Sequence, residues 1–331
     1  MKPVTLAPNL VEHYYAGGAR IADLRGIEAT SDHQPEEWIA ATVTRADGSG
    51  LGLARTVDGD VLRDVIAADP VAWTGVDRGS DTGILVKLLD AGQRLPVHLH
   101  PDRRFASDHL DCPYGKTEAW YVLDVDEGAA VHLGWREDVD PVEVARRRDA
   151  QDGDWMLDHL NRVEVRPGDG VLVPAGLAHS IGAGVFVVEV QEPTDFSIVL
   201  EWSITTSGPE DSHLGLGMDL ALEALDTRGT TPDALDRLVL HEGDRRGSSV
   251  LPEAADDFFR LDLLERGSVD AGFAAVVALD GDGEVVTADG TTALGRGGVL
   301  VVPAAAGDWS LRGDVRALVA RPAASWKEMH V

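Results

Sequence analysis

The sequence predicts a mainly β protein: a metal-holding barrel followed by a second, degenerate barrel on the same plan. Three observations predict it. His98-Leu99-His100, Glu118 and His179 are spaced to converge from separate strands. Short β-rich runs bounded by Gly, Pro or Asp crowd residues 84–203, and glycine is abundant at 36 of 331 residues. A Gly-strand-Pro-Ala segment at 166–175 also recurs at 295–304.

The elements follow in order. Residues 1–80 are mixed, with strand candidates at 38–44 and 51–56 and a helix over 62–68 that ends before Pro70. Strands are expected at 84–89, 95–100, 119–125 and 130–134. Residues 137–161 read as polar helix, with Val142, Val144, Met156, Leu157 and Leu160 as apolar contacts. Strands resume at 162–166, 170–173, 185–191 and 198–203. Met218, Ala221, Leu222 and Leu225 fall at helical spacing, and a second short helix is expected over 232–240, with Pro232 a favourable first-turn residue. From about 246 the pattern returns to strands and glycines. Aligning Pro174-Ala175 with Pro303-Ala304 puts Asp308 where the first copy has His179, and no His-x-His precedes it. The second barrel is therefore expected to have lost its metal site.

Composition narrows the function. The net charge is −28, which opposes nucleic acid and anionic membrane surfaces, since both are recognised by basic patches. Cys112 is the single cysteine, so no intrachain disulfide forms. The N-terminus lacks a charged-then-apolar leader, and no apolar run approaches the ~18 residues that span a bilayer. A cytoplasmic protein is expected.

The metal site rests on residue type and spacing. Side chains at i and i+2 of a strand share a face, so His98 and His100 grip one ion together. Glu118 comes from a second strand-like run, and His179 opens a third after a Pro-Ala-Gly turn. Three imidazoles and one carboxylate, without sulfur, suit Zn, Mn, Fe, Co or Ni and leave positions open for catalysis.

These residues sit in longer motifs that carry a resemblance. Leu95-Pro-Val-His-Leu-His-Pro-Asp102, Gly115-Lys-Thr-Glu-Ala-Trp-Tyr-Val-Leu123, Leu160-Asn-Arg-Val-Glu-Val-Arg-Pro-Gly-Asp169, Val173-Pro-Ala-Gly-Leu-Ala-His179, Glu189-Val-Gln191 and Glu36-Glu-Trp38 resemble class I mannose-6-phosphate isomerase, a cupin enzyme. The likeness covers most of the chain. It implies two cupin (jelly-roll) domains with helical insertions: a catalytic cupin over 1–207 with its insertion near 137–161, a helical segment over 208–245, and a degenerate cupin over 246–331. It also implies one divalent ion on His98, His100, Glu118 and His179, zinc first and Mn, Fe or Co as alternatives. The implied reaction is aldose–ketose isomerisation of mannose 6-phosphate, or a related sugar, through a cis-enediol. Lys116 matches the family's active-site lysine, and Asp195 its aspartate after Glu-x-Gln; both are expected to be catalytic.

The chain departs from the family at three places. His98 replaces a usual Gln, and Pro96 a small hydroxyl residue. The family's arginine after Asp195 is absent, its place taken by Ile198 or Val199. That loss removes a guanidinium suited to phosphate. Arg103, Arg104 and Glu192 are then the expected substrate-binding residues, with Arg162 a further candidate cation. The alternatives are an isomerase or epimerase of a non-phosphorylated sugar, or an inactive metal-containing sugar-binding protein. The expected partner is a small sugar or sugar phosphate, the chain being a monomer or homodimer.

Overall fold

The computed structural model describes residues 1–245 and 247–328. Strand outweighs helix, 33% to 22%, so the expected mainly β class is borne out. Three antiparallel sheets organise it. A central seven-stranded sheet runs in the order Val239–Leu240, Gly170–Val173, Glu118–Val125, Val185–Gln191, Leu85–Asp90, Glu36–Ile39 and Leu10–Val11. A five-stranded sheet runs Ile198–Val199, His98–Leu99, His179–Ile181, Ala130–Trp135 and Leu160–Glu164. A third sheet is built on Val299–Val302, Ala274–Thr287, Trp309–Pro322 and Phe259–Leu264. The Val4–Thr5 strand lies at its edge, paired with Leu300 and Val301.

The central sheet is buried on both faces, which explains the unbroken apolar run at Val185–Val188. Alternate residues face opposite ways on a strand. Leu89, Trp120, Val122, Val171 and Val187 pack with Val131, Leu133 and Ile181 of the five-stranded sheet. Val86, Leu88, Ala119, Tyr121, Val188 and Val190 pack with Phe259, Leu261, Ala275, Val277, Val299 and Leu318 of the third sheet. Each fully buried Val, Leu, Ile or Phe among them stabilises by about 1.5–3 kcal/mol.

Several elements match their expectations and others shrink for identifiable reasons. The Leu62–Ala68 helix is as expected, and Asp69 caps the next helix, Pro70–Thr74, by accepting from Ala72 N at 3.2 Å. The 137–161 segment forms two helices, Pro141–Asp149 and Gly153–His159, capped by Asp140 and Asp152. Val144, Met156 and Leu160 pack with Val97, Leu99 and Leu200, on the side of the five-stranded sheet away from the central one. Val142, expected among these contacts, is 73% exposed, because residues two apart on a helix point nearly opposite ways.

The strand expected over 38–44 stops at Ile39, where Ala40 turns the chain with a φ of 54°. The 51–56 run makes only isolated bridges, Leu6 to Thr56 and Arg55 to Val61. The 95–100 run pairs only at His98–Leu99. Both copies of the repeat are strands, Gly170–Val173 and Val299–Val302. Asp308 holds a turn by accepting from Ala271 N at 2.9 Å. No helix among the described residues is long and apolar enough to cross a membrane.

Candidate metal centre and its cavity

The five-stranded sheet places the histidines. His98 and His179 are direct cross-strand partners, so their side chains rise side by side. His100 follows two residues after His98, held by Gly176 N donating to His100 O at 2.7 Å. Glu118 reaches the group from the facing central sheet, where it pairs with Gln191 and Val173. All three imidazoles are buried, and one ligand atom of each lies within 4.8 Å of the others.

Hydrogen bonds settle the imidazole tautomers. The Nδ1 atoms of His98, His100 and His179 lie 2.8, 2.7 and 2.7 Å from the carbonyls of Pro96, Phe196 and Leu177. A carbonyl only accepts, so each Nδ1 carries the proton and each Nε2 keeps a lone pair. Burial pushes the His98 and His100 pKa values down, the latter to about 3, so both stay neutral.

Glu118 then presents acceptors to acceptors. Its Oε2 lies 3.0 Å from His100 Nε2 and its Oε1 3.4 Å from His179 Nε2. His179 Nε2 is buried with no hydrogen-bond partner among the described residues. Burial pushes Glu118 up, but Lys116 and His100 outweigh it and hold the carboxyl well below its usual range. Converging lone pairs beside a carboxylate, each imidazole braced through its other nitrogen, fit a divalent cation. Trp120 Nε1 donates to Glu118 Oε1 at 3.0 Å and orients it.

Lys116, expected to be catalytic, stands at this centre. Its Nζ lies 2.9 Å from Glu118 Oε2 and 3.1 Å from His100 Nε2. Gly115 makes that placement possible: a Cβ there would lie 2.5 Å from Pro101 O. Asp195, the other expected catalytic residue, lines the same cavity as His98, Lys116 and Glu118.

The structure adds a second charged group. Lys87, on the central sheet, lies 3.2 Å from Glu36, 3.5 Å from Glu189 and 3.7 Å from Asp195, and packs over the Trp38 ring. Register aligns Trp38, Lys87, Glu189 and Trp120 in one row across four strands. Burial pulls Lys87 down, but Glu36, Glu189 and Asp195 more than restore its charge. Burial pushes Glu36 up, yet Lys87, His13 and the Tyr15 and Trp38 donors hold it well below the usual range. Tyr15 donates to Glu36 at 2.5 Å and Trp38 at 2.7 Å. Glu189, pushed up by burial and then by Glu118, titrates at about 7.

The expected substrate-binding residues lie elsewhere. Arg103 and buried Glu192 pair with each other at 2.6 Å, and Arg103 stacks on Phe258. The Arg104 side chain is 90% exposed, beside Asp108. Arg162 pairs with Glu164 at the far strand of the five-stranded sheet. None of the four lines the cavity that holds His98, Lys116 and Glu118.

The sequence reading did not assign Lys87, Glu36, Glu189 or His13 a place in the site. A signal for Lys87 existed: one charge inside the apolar run Ile84–Leu89 demands buried partners. His13 carried none.

No protein-family model matches the chain. The chain is 33% identical over 193 residues to "Probable mannose-6-phosphate isomerase GmuF" of Bacillus subtilis, a match spanning 58% of this chain and 59% of that protein. It is 28% identical over 306 residues to the mannose-6-phosphate isomerase of Streptococcus mutans, spanning 90% of this chain and 92% of that one. The crystal structure of mannose 6-phosphate isomerase from Bacillus subtilis superposes with a TM-score of 0.74 at 21% identity, covering 97% of this chain and all of that one. A variant of phosphomannose isomerase from Salmonella typhimurium superposes at 0.71 and 16% identity, covering 98% of this chain. In sequence the chain is similar to proteins named mannose-6-phosphate isomerase, and in fold it is similar to solved phosphomannose isomerases.

Proposed function

We propose that the protein is a metal-dependent aldose–ketose isomerase acting on a sugar of the mannose–fructose type. The observation that carries the reading is the pairing of one buried ligand group with two buried lysines in one cavity. His98, His100, His179 and Glu118 would hold the ion, zinc first among the metals that suit nitrogen and oxygen ligands. When bound, it supplies a Lewis acid for the oxygens on C1 and C2 of the sugar.

The chain's own residues do the rest. Isomerisation moves one proton between C1 and C2 and another between their oxygens. Lys116 and Lys87 present ammonium donors to substrate oxygens. Asp195 and Glu189 present carboxylates to the same space as carriers for the proton, Glu189 with its pKa raised first by burial. The likeness to proteins named mannose-6-phosphate isomerase supports this chemistry.

The test is turnover after metal stripping and reloading with Zn, Mn, Co or Fe. Mannose and fructose are followed as free sugars and as 6-phosphates, with deuterium uptake at C1 and C2 as a second readout. Metal-restored interconversion is expected. A rate unchanged by chelation, or no uptake with any sugar, overturns the reading.

A further inference from the structure

The cavity of His98, Lys116 and Glu118 shares His13, Tyr14, Asp195 and Ser197 with a wider outer cavity, its mouth, that also contains Arg45, Asp47, Glu210 and Asp211. Each cation along this path is already matched by a carboxylate. Lys87 is shared by Glu36, Glu189 and Asp195, and Lys116 lies against Glu118. In the mouth, Arg45 Nε lies 3.1 Å from Asp47, and its Nη1 donates to the backbone oxygen of Glu12. His13 adds no charge, because burial drops its pKa to about 4.

The charge balance runs against an anionic ligand. The inner cavity sets four carboxyl groups, Glu36, Glu118, Glu189 and Asp195, against two lysines; with Glu189 half protonated near neutral pH, one divalent ion leaves it only about half a charge positive, less than the excess of carboxylates in the mouth. The mouth sets three further carboxylates, Asp47, Glu210 and Asp211, against Arg45 alone. A phosphate monoester carries about −1.5 to −2 at neutral pH. Seating it here needs an unmatched cation, and an unpaired buried ion costs several kcal/mol. Sugar hydroxyls make no such demand: carboxylates accept from them and ammonium groups donate to them.

Resting on the isomerase reading, we infer that this cavity takes a neutral aldose or ketose and disfavours the corresponding phosphate ester. The experiment uses the metal-loaded full chain in two arms. The first compares kcat/KM for mannose and mannose 6-phosphate at low and high salt. At least about a tenfold preference for the neutral sugar is expected, narrowing as salt screens the mouth. The double variant Asp47→Asn/Asp211→Asn should narrow it as well. A preference for the phosphate ester overturns the inference while leaving the isomerase reading intact.

The second arm is calorimetry with non-reacting mannitol and mannitol 1-phosphate. It judges the inference even if no sugar turns over, the outcome that would sink the isomerase reading alone. Tighter binding of mannitol supports the inference. Equal or tighter binding of the phosphate, or binding of neither, overturns it.

Discussion

Lys87→Met keeps the length and apolar stem of the side chain and removes one buried positive charge. The lysine faces Glu36, Glu189 and Asp195 at 3.2, 3.5 and 3.7 Å, with its side chain only 3% exposed. At an effective dielectric constant near 20, each contact is worth about 5 kcal/mol of gross attraction. Desolvation offsets most of that, and removing one partner of a buried pair costs about 3–5 kcal/mol net. The cost depends on pH. Near pH 8 the variant must either keep Glu36, Glu189 and Asp195 charged without their shared ammonium or hold Glu189 protonated at a cost, because Lys87 no longer pulls its pKa down. Near pH 5.5 Glu189, which titrates at about 7 even beside Lys87, is protonated and part of the repulsion is gone. Equilibrium unfolding in urea, followed by tryptophan fluorescence at both pH values, measures this. The expected loss is about 3–5 kcal/mol at the higher pH and clearly less at the lower. Adding Glu36→Gln should restore part of it. A loss under about 1 kcal/mol, equal losses at both pH values, or no recovery in the double variant would refute the reasoning.

Four further outcomes follow from the same geometry. His98→Ala or His179→Ala should drop bound divalent metal, read by elemental analysis after dialysis, from about one per chain to a small fraction; chelation of the unaltered protein should lower its unfolding midpoint, since an ion bound only to the native state stabilises it. Gly115→Ala forces a methyl to within 2.5 Å of Pro101 O and displaces the loop carrying His100 and Lys116; a loss of about 1–3 kcal/mol and weaker metal retention are expected. His13 takes up its proton near pH 6.5 in the unfolded chain but only at about 4 in the folded one, so acid favours the unfolded state. Stability should therefore decline by up to about 3 kcal/mol as pH falls through that window, and urea midpoints of His13→Asn should show a smaller decline.

The sequence by itself determined the class of the fold and pointed to the residues of the candidate metal group. His98 and His100 share a face through the two-residue period of a strand, and the motifs around Glu118 and His179 single those two out as candidates to join them. The helix Leu62–Ala68 was equally legible, because Pro70 and a run of helix formers act locally. Tertiary structure decided the rest. Lys87, Glu36 and Glu189 meet only because three strands distant in sequence pair in one register, and a one-residue slip would turn each to the opposite face. Arg103 and Glu192 read as free binding groups until folding joined them to each other. His13 became part of the cavity through packing between sheets, which no local pattern records. Local rules choose the face a side chain occupies; long-range register and packing choose what it meets there.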